Sequence, residues 1–499
     1  MNFSQFSTQN QFSTPNNFAT VPGGSPSLIT PSTFGYLDVH QFPGFATLTP
    51  KNQDFVQKAV QGSVSACSYI GYCLWKGSDG FQKNSPEAAK FFKIAAEAGQ
   101  LNAINIYGYM LDKGDGIPSN KQEAARFYKM AADQGDATAM HNYALLMKGL
   151  NNKAEAATYF KMSVDKGNVN SMVSYGFMLL NGDGVPVDKT TAANYIKQAA
   201  DSGNVGALGV YGSMLRTGNG VPMDKAEAVK YITQAAQKGY PNSMYDLGII
   251  LRDGEGVAAN PAQAANYLKL AADRGHIGAM EAYGMLLWTG RGVAAVDYSA
   301  AATYLKGAAD RGFVDAMNGY GALVRRGGGP VTANAAEAVR YFRMGVEKGS
   351  VPAIINLAGL LLSGEGAVPA NPAEAAKLYK MAADKSHVHA CFVFGTMARD
   401  GNGMTPDRQS AMTYLKRAAD AGHGAAMLEY GIMMKEESSF PEAAKYLQMA
   451  ADDGYARAMY EYSVMLRNGE GVPANPAEAD RYKELAKSQK EVVSNLLNK

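Results

Sequence analysis

The sequence predicts an all-α solenoid of about twelve stacked two-helix repeats. Three observations support this fold class: self-similarity at a nearly fixed spacing, small and apolar residues at helical spacing in every unit, and glycine-rich joints between the two helices of a unit. The chain has 499 residues, more than one hydrophobic core usually serves. The internal repeats favour one quasi-linear array over several globular domains.

The repeat length follows from a glycine that closes nearly every unit. Successive closing residues are 32 to 37 positions apart, which suits two helices of about 12 residues and two turns. The closing residues are Gly99, Gly135, Gly167, Gly203, Gly239, Gly275, Gly312, Gly349, Ser386, Gly422 and Gly454.

The first helix of each unit has one face that must be buried. Met140, Tyr143, Ala144 and Met147 illustrate the spacing i, i+3, i+4 and i+7, which places four residues on one helical face. The centre of this face always holds a small residue, so we expect a neighbouring helix backbone to approach there. These residues are Gly71, Gly108, Ala144, Gly176, Gly212, Gly248, Gly284, Gly321, Ala358, Gly395, Gly431 and Ser463.

The second helix of each unit pairs a small residue with a large one. One position is alanine in all twelve units, for example Ala228, and three residues later comes Phe or Tyr, with Leu378 as the sole exception. Alternating small and large surfaces let helices interlock, and isolated helices of this length are marginal in water. Each unit is therefore predicted to need its neighbours for stability.

The joint between the two helices carries Gly-x-Gly in nine units, as in Gly218-Asn219-Gly220. The first glycine suits a left-handed helix C-cap, and Asn before Pro, as in Asn260-Pro261, suits an N-cap. A nucleotide-binding loop would need a preceding strand or a GK[ST] ending, and neither occurs. We interpret these glycines as turn residues.

Composition and charge exclude several classes of function. The 47 Lys and Arg nearly cancel the 45 Asp and Glu, so no nucleic-acid or anionic-membrane partner is predicted. No membrane span is expected, because the sequence has no apolar run of about 18 residues. No signal peptide is expected either, because the N-terminus lacks a basic segment followed by an apolar one. Cys67, Cys73 and Cys391 do not form metal-ligand pairs, and no cofactor is predicted. These features predict a cytoplasmic, or alternatively nuclear, protein that is not secreted.

Four segments are predicted along the chain. Residues 1–50 contain one charged residue, Asp38, and are expected to be a disordered tail. Phenylalanines at positions 3, 6, 12, 18, 34, 42 and 45 leave open that this tail contacts a partner or self-associates. Residues 51–63 are predicted to form half a repeat, residues 64–487 twelve repeats, and residues 488–499 the end of a capping helix.

The repeated pattern resembles a known family. Ala-x-x-x-Tyr/Leu-Gly, then Gly-x-Gly-Val-Pro, then Ala-Ala-x-Tyr and Ala-Ala-Asp-x-Gly is similar to the Sel-1-like repeat, a relative of the tetratricopeptide repeat. The resemblance implies a right-handed α/α superhelix that serves as an adaptor in protein complexes, in some members within endoplasmic-reticulum degradation machinery. It implies no catalytic residues. Two units depart from the pattern because they lack Gly-x-Gly, reading MKGLNNKAEAATYF and MKEESSFPEAAKYL.

Candidate binding residues lie on the other face of the first helix. By analogy with tetratricopeptide arrays, positions i, i+4 and i+7 of this face should line a concave groove, and aromatic residues there suit protein interfaces. The aromatic candidates are Tyr72, Trp75, Tyr109, His141, Phe177, Tyr245, Trp288, Phe392 and Tyr460. The last position of the face is basic in seven of twelve units: Lys148, Arg216, Arg252, Arg325, Arg399, Lys435 and Arg467.

Two explanations of this basic column remain open. The cations could bind acidic or carbonyl groups of an extended partner segment, or they could simply be favoured at a helix C-terminus by about 0.3 to 1 kcal/mol each. His276, His387 and His423 share one position that elsewhere holds an aromatic residue, which favours packing over acid–base chemistry.

The sequence therefore predicts a non-catalytic scaffold or adaptor that binds other proteins. The alternative is a regulatory or activating subunit of an enzyme bound in trans, of the polysaccharide-synthase type or an adaptor of ubiquitin-ligase or endoplasmic-reticulum degradation type.

Overall fold

The computed structural model describes Phe42 and residues 44–497, with side chains through residue 489. Within that part, the chain forms 25 α-helices, one 3-10 helix (Phe45–Thr47), two isolated β-bridges and no strand. The predicted all-α class is confirmed. The chain divides into two compact units, Met1–Ala259 and Asn260–Lys499, which are described separately below.

Over its described residues, Phe42 and 44–259, the first unit contains twelve α-helices. They are α1 (Pro50–Val60), α2 (Val64–Lys76), α3 (Ser85–Glu97), α4 (Leu101–Lys113), α5 (Lys121–Asp133), α6 (Ala137–Gly149), α7 (Lys153–Asp165), α8 (Val169–Asn181), α9 (Lys189–Asp201), α10 (Val205–Thr217), α11 (Lys225–Gln237) and α12 (Pro241–Asp253).

The second unit contains thirteen α-helices in its described residues. They are α13 (Pro261–Asp273), α14 (Ile277–Thr289), α15 (Tyr298–Asp310), α16 (Val314–Arg326), α17 (Ala335–Glu347), α18 (Val351–Ser363), α19 (Pro372–Asp384), α20 (Val388–Asp400), α21 (Arg408–Asp420), α22 (Gly424–Glu436), α23 (Phe440–Asp452), α24 (Ala456–Asn468) and α25 (Pro476–Leu497).

From α2 onward the helices alternate between two roles. We call the even-numbered helices A-helices and their odd-numbered successors B-helices, and we number the thirteen residues of every A-helix 1 to 13. Within a unit, each A-helix packs on the B-helix of its own repeat and on the B-helix of the repeat before it, as α10 does on α11 and α9. This alternation is the solenoid that the sequence predicts.

The small residue at position 8 permits the predicted close packing of A- on B-helix. A Cβ added to Gly212 would lie 2.6 Å from Ile232 Cγ1 and 3.1 Å from the backbone oxygen of Ala228. A Cβ added to Gly176 would lie 2.8 Å from Ile196 Cγ1. A larger side chain at this position would force the two helices apart.

The aromatic residue of the B-helix makes two contacts. Its ring packs edge-on against the tyrosine at position 7 of the same repeat, with centroids 4.8 Å apart for Tyr211 and Tyr231. In several repeats its hydroxyl also donates to an aspartate of the preceding B-helix, at 2.6 Å from Tyr304 to Asp273. This hydrogen bond joins successive repeats, and the sequence analysis did not predict it.

The two glycines of the joint have different roles. Gly218 ends α10 in the left-handed conformation, as predicted, with φ 69° and ψ 29°. The second glycine touches the preceding repeat, because a Cβ on Gly220 would lie only 2.2 Å from the backbone oxygen of Lys189, and one on Gly116 only 2.3 Å from the carbonyl carbon of Ser85. The second glycine is therefore an inter-repeat contact as well as a turn residue.

Helix N-termini are capped by side chains, including three histidines. The Asn260 Oδ1 accepts the backbone N–H of Gln263 at 3.1 Å, as predicted. His276, His387 and His423 act in the same way, since each Nδ1 accepts the backbone N–H of the residue three positions later at 3.0 to 3.3 Å. The position that these three histidines share is therefore an N-cap position, a role that the sequence analysis did not predict.

The N-terminal boundary differs from the expected one at residue 50. Phe42, Phe45 and Leu48 are buried, and the Phe42 ring packs edge-on against Phe81 and Phe91 with centroids 6.0 Å apart in both cases. These residues extend the core of the first repeat because they bury aromatic surface that the array would otherwise expose at its end. The rest of the predicted tail, residues 1–41 and 43, lies outside the described residues.

Candidate protein-binding surface

The candidate residues lie at positions 5, 9 and 12 of the A-helices, which we call the A-helix surface. The structure divides them by exposure. Trp75, His141 and Phe177 are buried. The half-buried residues are Tyr72, Tyr109, Arg216, Tyr245, Arg252, Trp288, Arg325, Phe392, Arg399 and Lys435. Lys148, Tyr460 and Arg467 are exposed.

The expectation that Trp75, His141 and Phe177 are exposed anchors is wrong. They are only 7%, 2% and 9% exposed, because residues of neighbouring helices cover them. The Trp75 indole N–H donates to Asp115 of the next repeat at 2.7 Å. All three side chains stabilise the stacking of repeats.

His141 belongs to a buried hydrogen-bond chain between the third and fourth repeats. Ser163 donates its hydroxyl to the backbone oxygen of Ala137 at 2.6 Å, and Ser171 donates to Ser163 at 2.7 Å. Ser171 has then used its proton, so the contact of 2.7 Å between its oxygen and the His141 Nδ1 requires Nδ1–H as donor. The Nε2 atom is buried without a partner, and burial lowers the pKa of His141 to about 4.

Most side chains of the basic column have carboxylate partners within the protein. Arg325 Nε lies 2.7 Å from Glu365, Arg216 Nη1 lies 3.8 Å from Glu255, and Lys435 Nζ lies 2.9 Å from Glu461. In these pairs the carboxylate belongs to the next repeat. The remaining pairs are Arg252 with Asp253, Arg399 with Asp400 and Glu429, and Arg467 with Asp480.

Pairing between repeats is a third explanation of the column, beside the two that the sequence left open. Lys148 differs from the other six cations, since no ion pair in the described part of the chain includes it. The column is therefore not a continuous row of free positive charge.

A simple rule connects position 12 with the following joint. Trp75 contacts Asp115, and Arg325 contacts Glu365, in each case the residue between the two joint glycines 40 positions later. Complementary side chains at this separation are a sequence signal that would have revealed these contacts.

At Trp288 the rule cannot operate. The corresponding joint residue is Gly328, which has no side chain to accept the indole N–H. No hydrogen bond of the Trp288 indole occurs within the described residues. The half-buried ring is thus left facing a cleft.

This cleft lies in the second unit and has a volume of about 420 Å³. Its lining combines apolar, amide and charged side chains from α14, α16, α17, α18 and the joint after α18: Trp288, Ala322, Arg325, Arg326, Phe342, Asn356 and Glu365. Of the predicted candidates, the cleft brings together Trp288 and Arg325. Arg326 and Asn356 were missed, because they occupy positions 13 and 6, outside the predicted face.

The first unit contains a second polar cluster on this surface. Asp246 at position 6 of α12 is half-buried, and this burial raises its pKa to about 6, while the Arg216 guanidinium opposes the shift. The Nε atom of Arg216 is buried without a hydrogen-bond partner. The Arg216 guanidinium is therefore incompletely hydrogen-bonded.

The described residues contain no metal-binding cluster, and the state of the three cysteines follows from their burial. No group of three or more His, Cys, Asp or Glu side chains there could hold a metal ion, and no described helix is long and apolar enough to cross a membrane. All three cysteines are buried and unpaired, and burial raises the pKa of Cys67 to about 12 and that of Cys73 to about 11. These thiols are therefore protonated and poor nucleophiles at neutral pH.

Fold and surface together define a helical repeat protein, an α-solenoid. The sequence profile of the Sel1 repeat matches twelve times, at residues 64–100, 101–136, 137–168, 169–204, 207–240, 241–276, 277–313, 314–350, 351–387, 388–423, 424–455 and 456–488. The chain belongs to the Sel1 repeat family, as the resemblance implies. Members of this family are generally non-catalytic scaffolds for protein interactions.

A solved structure with low sequence identity shows the same fold. The protective antigen c5321 of uropathogenic Escherichia coli, which displays an SLR fold, is 23% identical, with a TM-score of 0.73 over 88% of this chain and 94% of that one. A Sel1 repeat protein from Oxalobacter formigenes is 21% identical, with a TM-score of 0.37 over 56% of this chain and 96% of that one. Comparison with curated proteins gave no match.

Proposed function

We propose that this protein is a non-catalytic scaffold that binds extended segments of partner proteins along its A-helix surface. The observation that carries the proposal is the cleft at Trp288, where the aromatic ring and Arg325 of that surface meet a second arginine and an amide side chain next to it. Aromatic and arginine side chains supply most of the binding energy in protein interfaces. The buried, protonated thiols support a reducing compartment, and we propose the cytoplasm.

The test is quantitative capture of partner proteins by the full chain and two variants. Trp288→Ala removes the aromatic ring from the cleft, whereas Leu180→Ala makes a similar truncation at the same helix position in another repeat. We expect Trp288→Ala to lose specific partners that wild type and Leu180→Ala retain. Identical partner sets for all three proteins would contradict the proposal.

The same experiment separates the alternative role as a regulatory subunit. Where a captured partner is an enzyme, its rate is measured with and without the purified repeat protein. A change in rate that Trp288→Ala abolishes would favour the regulatory role, and an unchanged rate favours the scaffold.

A further inference from the structure

One side chain that lines the cleft of the second unit, Asn356, belongs to an amide pair with unused hydrogen-bonding groups. Asn356 Nδ2 donates to Asn318 Oδ1 at 2.7 Å, which joins α18 to α16. This bond leaves the amide hydrogens of Asn318 and the Oδ1 of Asn356 for a further partner. A peptide unit offers the complementary groups, one C=O and one N–H.

The chain provides an internal comparison for this pair. Asn142 Nδ2 donates to Asn105 Oδ1 at 2.9 Å between α6 and α4, at the same two helix positions. Those two asparagines are each only 4% exposed, so an added peptide cannot reach them. Asn318 and Asn356 are both half-buried, and Asn356 lines the cleft.

The charges that line the cleft favour an acidic ligand. Arg325, Arg326 and Glu365 line it, which gives two positive charges and one negative charge, a net charge of +1. Arg325 is paired with Glu365 at 2.7 Å. Arg326 is exposed, and no ion pair in the described residues of the second unit includes it, so its guanidinium is available to a carboxylate.

We propose that this cleft binds an extended peptide segment carrying an Asp or Glu side chain. Arg326 pairs with the carboxylate, the Asn318–Asn356 pair binds one backbone amide, and Trp288 packs against a neighbouring side chain. A volume of about 420 Å³ accommodates a few residues of extended chain but no folded domain. The inference rests on the proposed function and specifies its ligand.

The first experiment selects ligands without bias. A displayed library of random dodecapeptides is selected on the full chain and counter-selected on Trp288→Ala. We expect the peptides that are retained specifically by wild type to be enriched in Asp and Glu. Selection of peptides without acidic enrichment, or failure to select any, would overturn the inference.

The second experiment measures affinities of synthetic copies of the selected peptides. The chain has only two tryptophans, and Trp75 is buried in the other unit, so a fluorescence change on binding reports on Trp288. Trp288→Phe should lose this signal. Circular dichroism of every variant verifies that it is folded.

Two substitutions test the assigned contacts. Arg326→Gln should weaken binding at least tenfold for a Glu peptide, but less than twofold for the same peptide with Gln in place of Glu. Asn356→Val should weaken the binding of both peptides about equally. Valine is compatible with this helix position, because Val210 and Val393 occupy it in two other repeats. Arg481→Gln, an exposed arginine on α25, is the charge-matched control and should change neither affinity.

Equal effects of Arg326→Gln on the Glu and Gln peptides would refute the carboxylate contact. If Trp288→Ala loses captured partners while no acid-dependent peptide binds, this inference fails and the scaffold function stands. If Trp288→Ala also retains every partner, both fail.

Discussion

The buried His141 makes a specific contribution to acid stability. Its imidazole donates through Nδ1 to Ser171, and its Nε2 is buried without a partner. A second proton would have to go on Nε2 and create a charge away from water. Acidification should therefore destabilise the contact between the third and fourth repeats, and His141→Leu should remove that pH dependence.

The magnitude follows from the pKa of His141, which is about 4 in the folded protein against an ordinary value of 6.5. A shift of one pKa unit corresponds to about 1.4 kcal/mol, so the contribution is about 3 kcal/mol. The unfolded chain binds the proton more tightly than the folded one. The stabilisation is consequently complete above pH 6.5, is lost as the pH falls from 6.5 to 4, and does not fall further below pH 4.

The assay is thermal unfolding at a series of pH values between 7.5 and 4, monitored by far-ultraviolet circular dichroism. Leu428 occupies position 5 in another repeat, so leucine is compatible with this position of the helix. Asn105→Leu is the matched control, because Asn105 is also at position 5, buried and hydrogen-bonded, but does not titrate. The reasoning is refuted if the difference in Tm between wild type and His141→Leu is independent of pH.

Three further predictions concern inter-repeat contacts and a buried charge. Gly220→Ala should lower the free energy of unfolding by about 2 kcal/mol more than Gly203→Ala, because only Gly220 has backbone within 3 Å of an added Cβ, although both have positive φ. Equal urea midpoints for the two variants would contradict this. Asp246→Asn should stabilise the protein by about 1 to 2 kcal/mol at pH 7.5 and hardly at pH 4, because the raised pKa of Asp246, about 6, makes the wild type lose stability as the pH rises from 3.8 through 6. A difference in Tm between the two proteins that does not depend on pH would count against this prediction. Tyr304→Phe removes the hydrogen bond to Asp273 and should lower the stability of the contact between the two repeats by about 1 kcal/mol, measured as faster amide hydrogen exchange in α15. Unchanged exchange would show that the hydrogen bond contributes nothing.

The fold was predictable because its determinants are local and recur in every repeat. Gly212 and Ala228 are read directly from the sequence as small residues at helical spacing, and the structure brings them together between α10 and α11. The contact of Gly220 with Lys189 was not predictable in the same way, since it joins one repeat to the preceding one. A turn signal explains a positive φ but does not indicate which backbone lies against it.

The candidate site was predictable only in part, for a reason that His141 and Tyr460 illustrate. Both occupy position 5 of an A-helix, yet His141 is 2% exposed and Tyr460 is 51% exposed. Position 5 lies at the edge between the packed and the open face, because a period of 3.6 residues does not assign it fully to either. Ser171 of the following repeat contacts His141, whereas Tyr460 lies in the last of the twelve repeats. Burial at position 5 therefore depends on the following repeat, and helical spacing within one repeat carries no information about it.

The same dependence on the next repeat explains why a cleft forms at Trp288. Trp75 shows what a tryptophan at position 12 does when the following joint supplies a carboxylate: its indole N–H is satisfied by Asp115 and the ring becomes part of the core. Gly328 removes that partner, so the Trp288 ring stays half-buried and faces the cleft, and its indole N–H has no protein partner among the described residues. A half-buried aromatic ring of this kind is open to contact with a ligand. We therefore expect binding capacity in this array to arise where the pairing between repeats is interrupted.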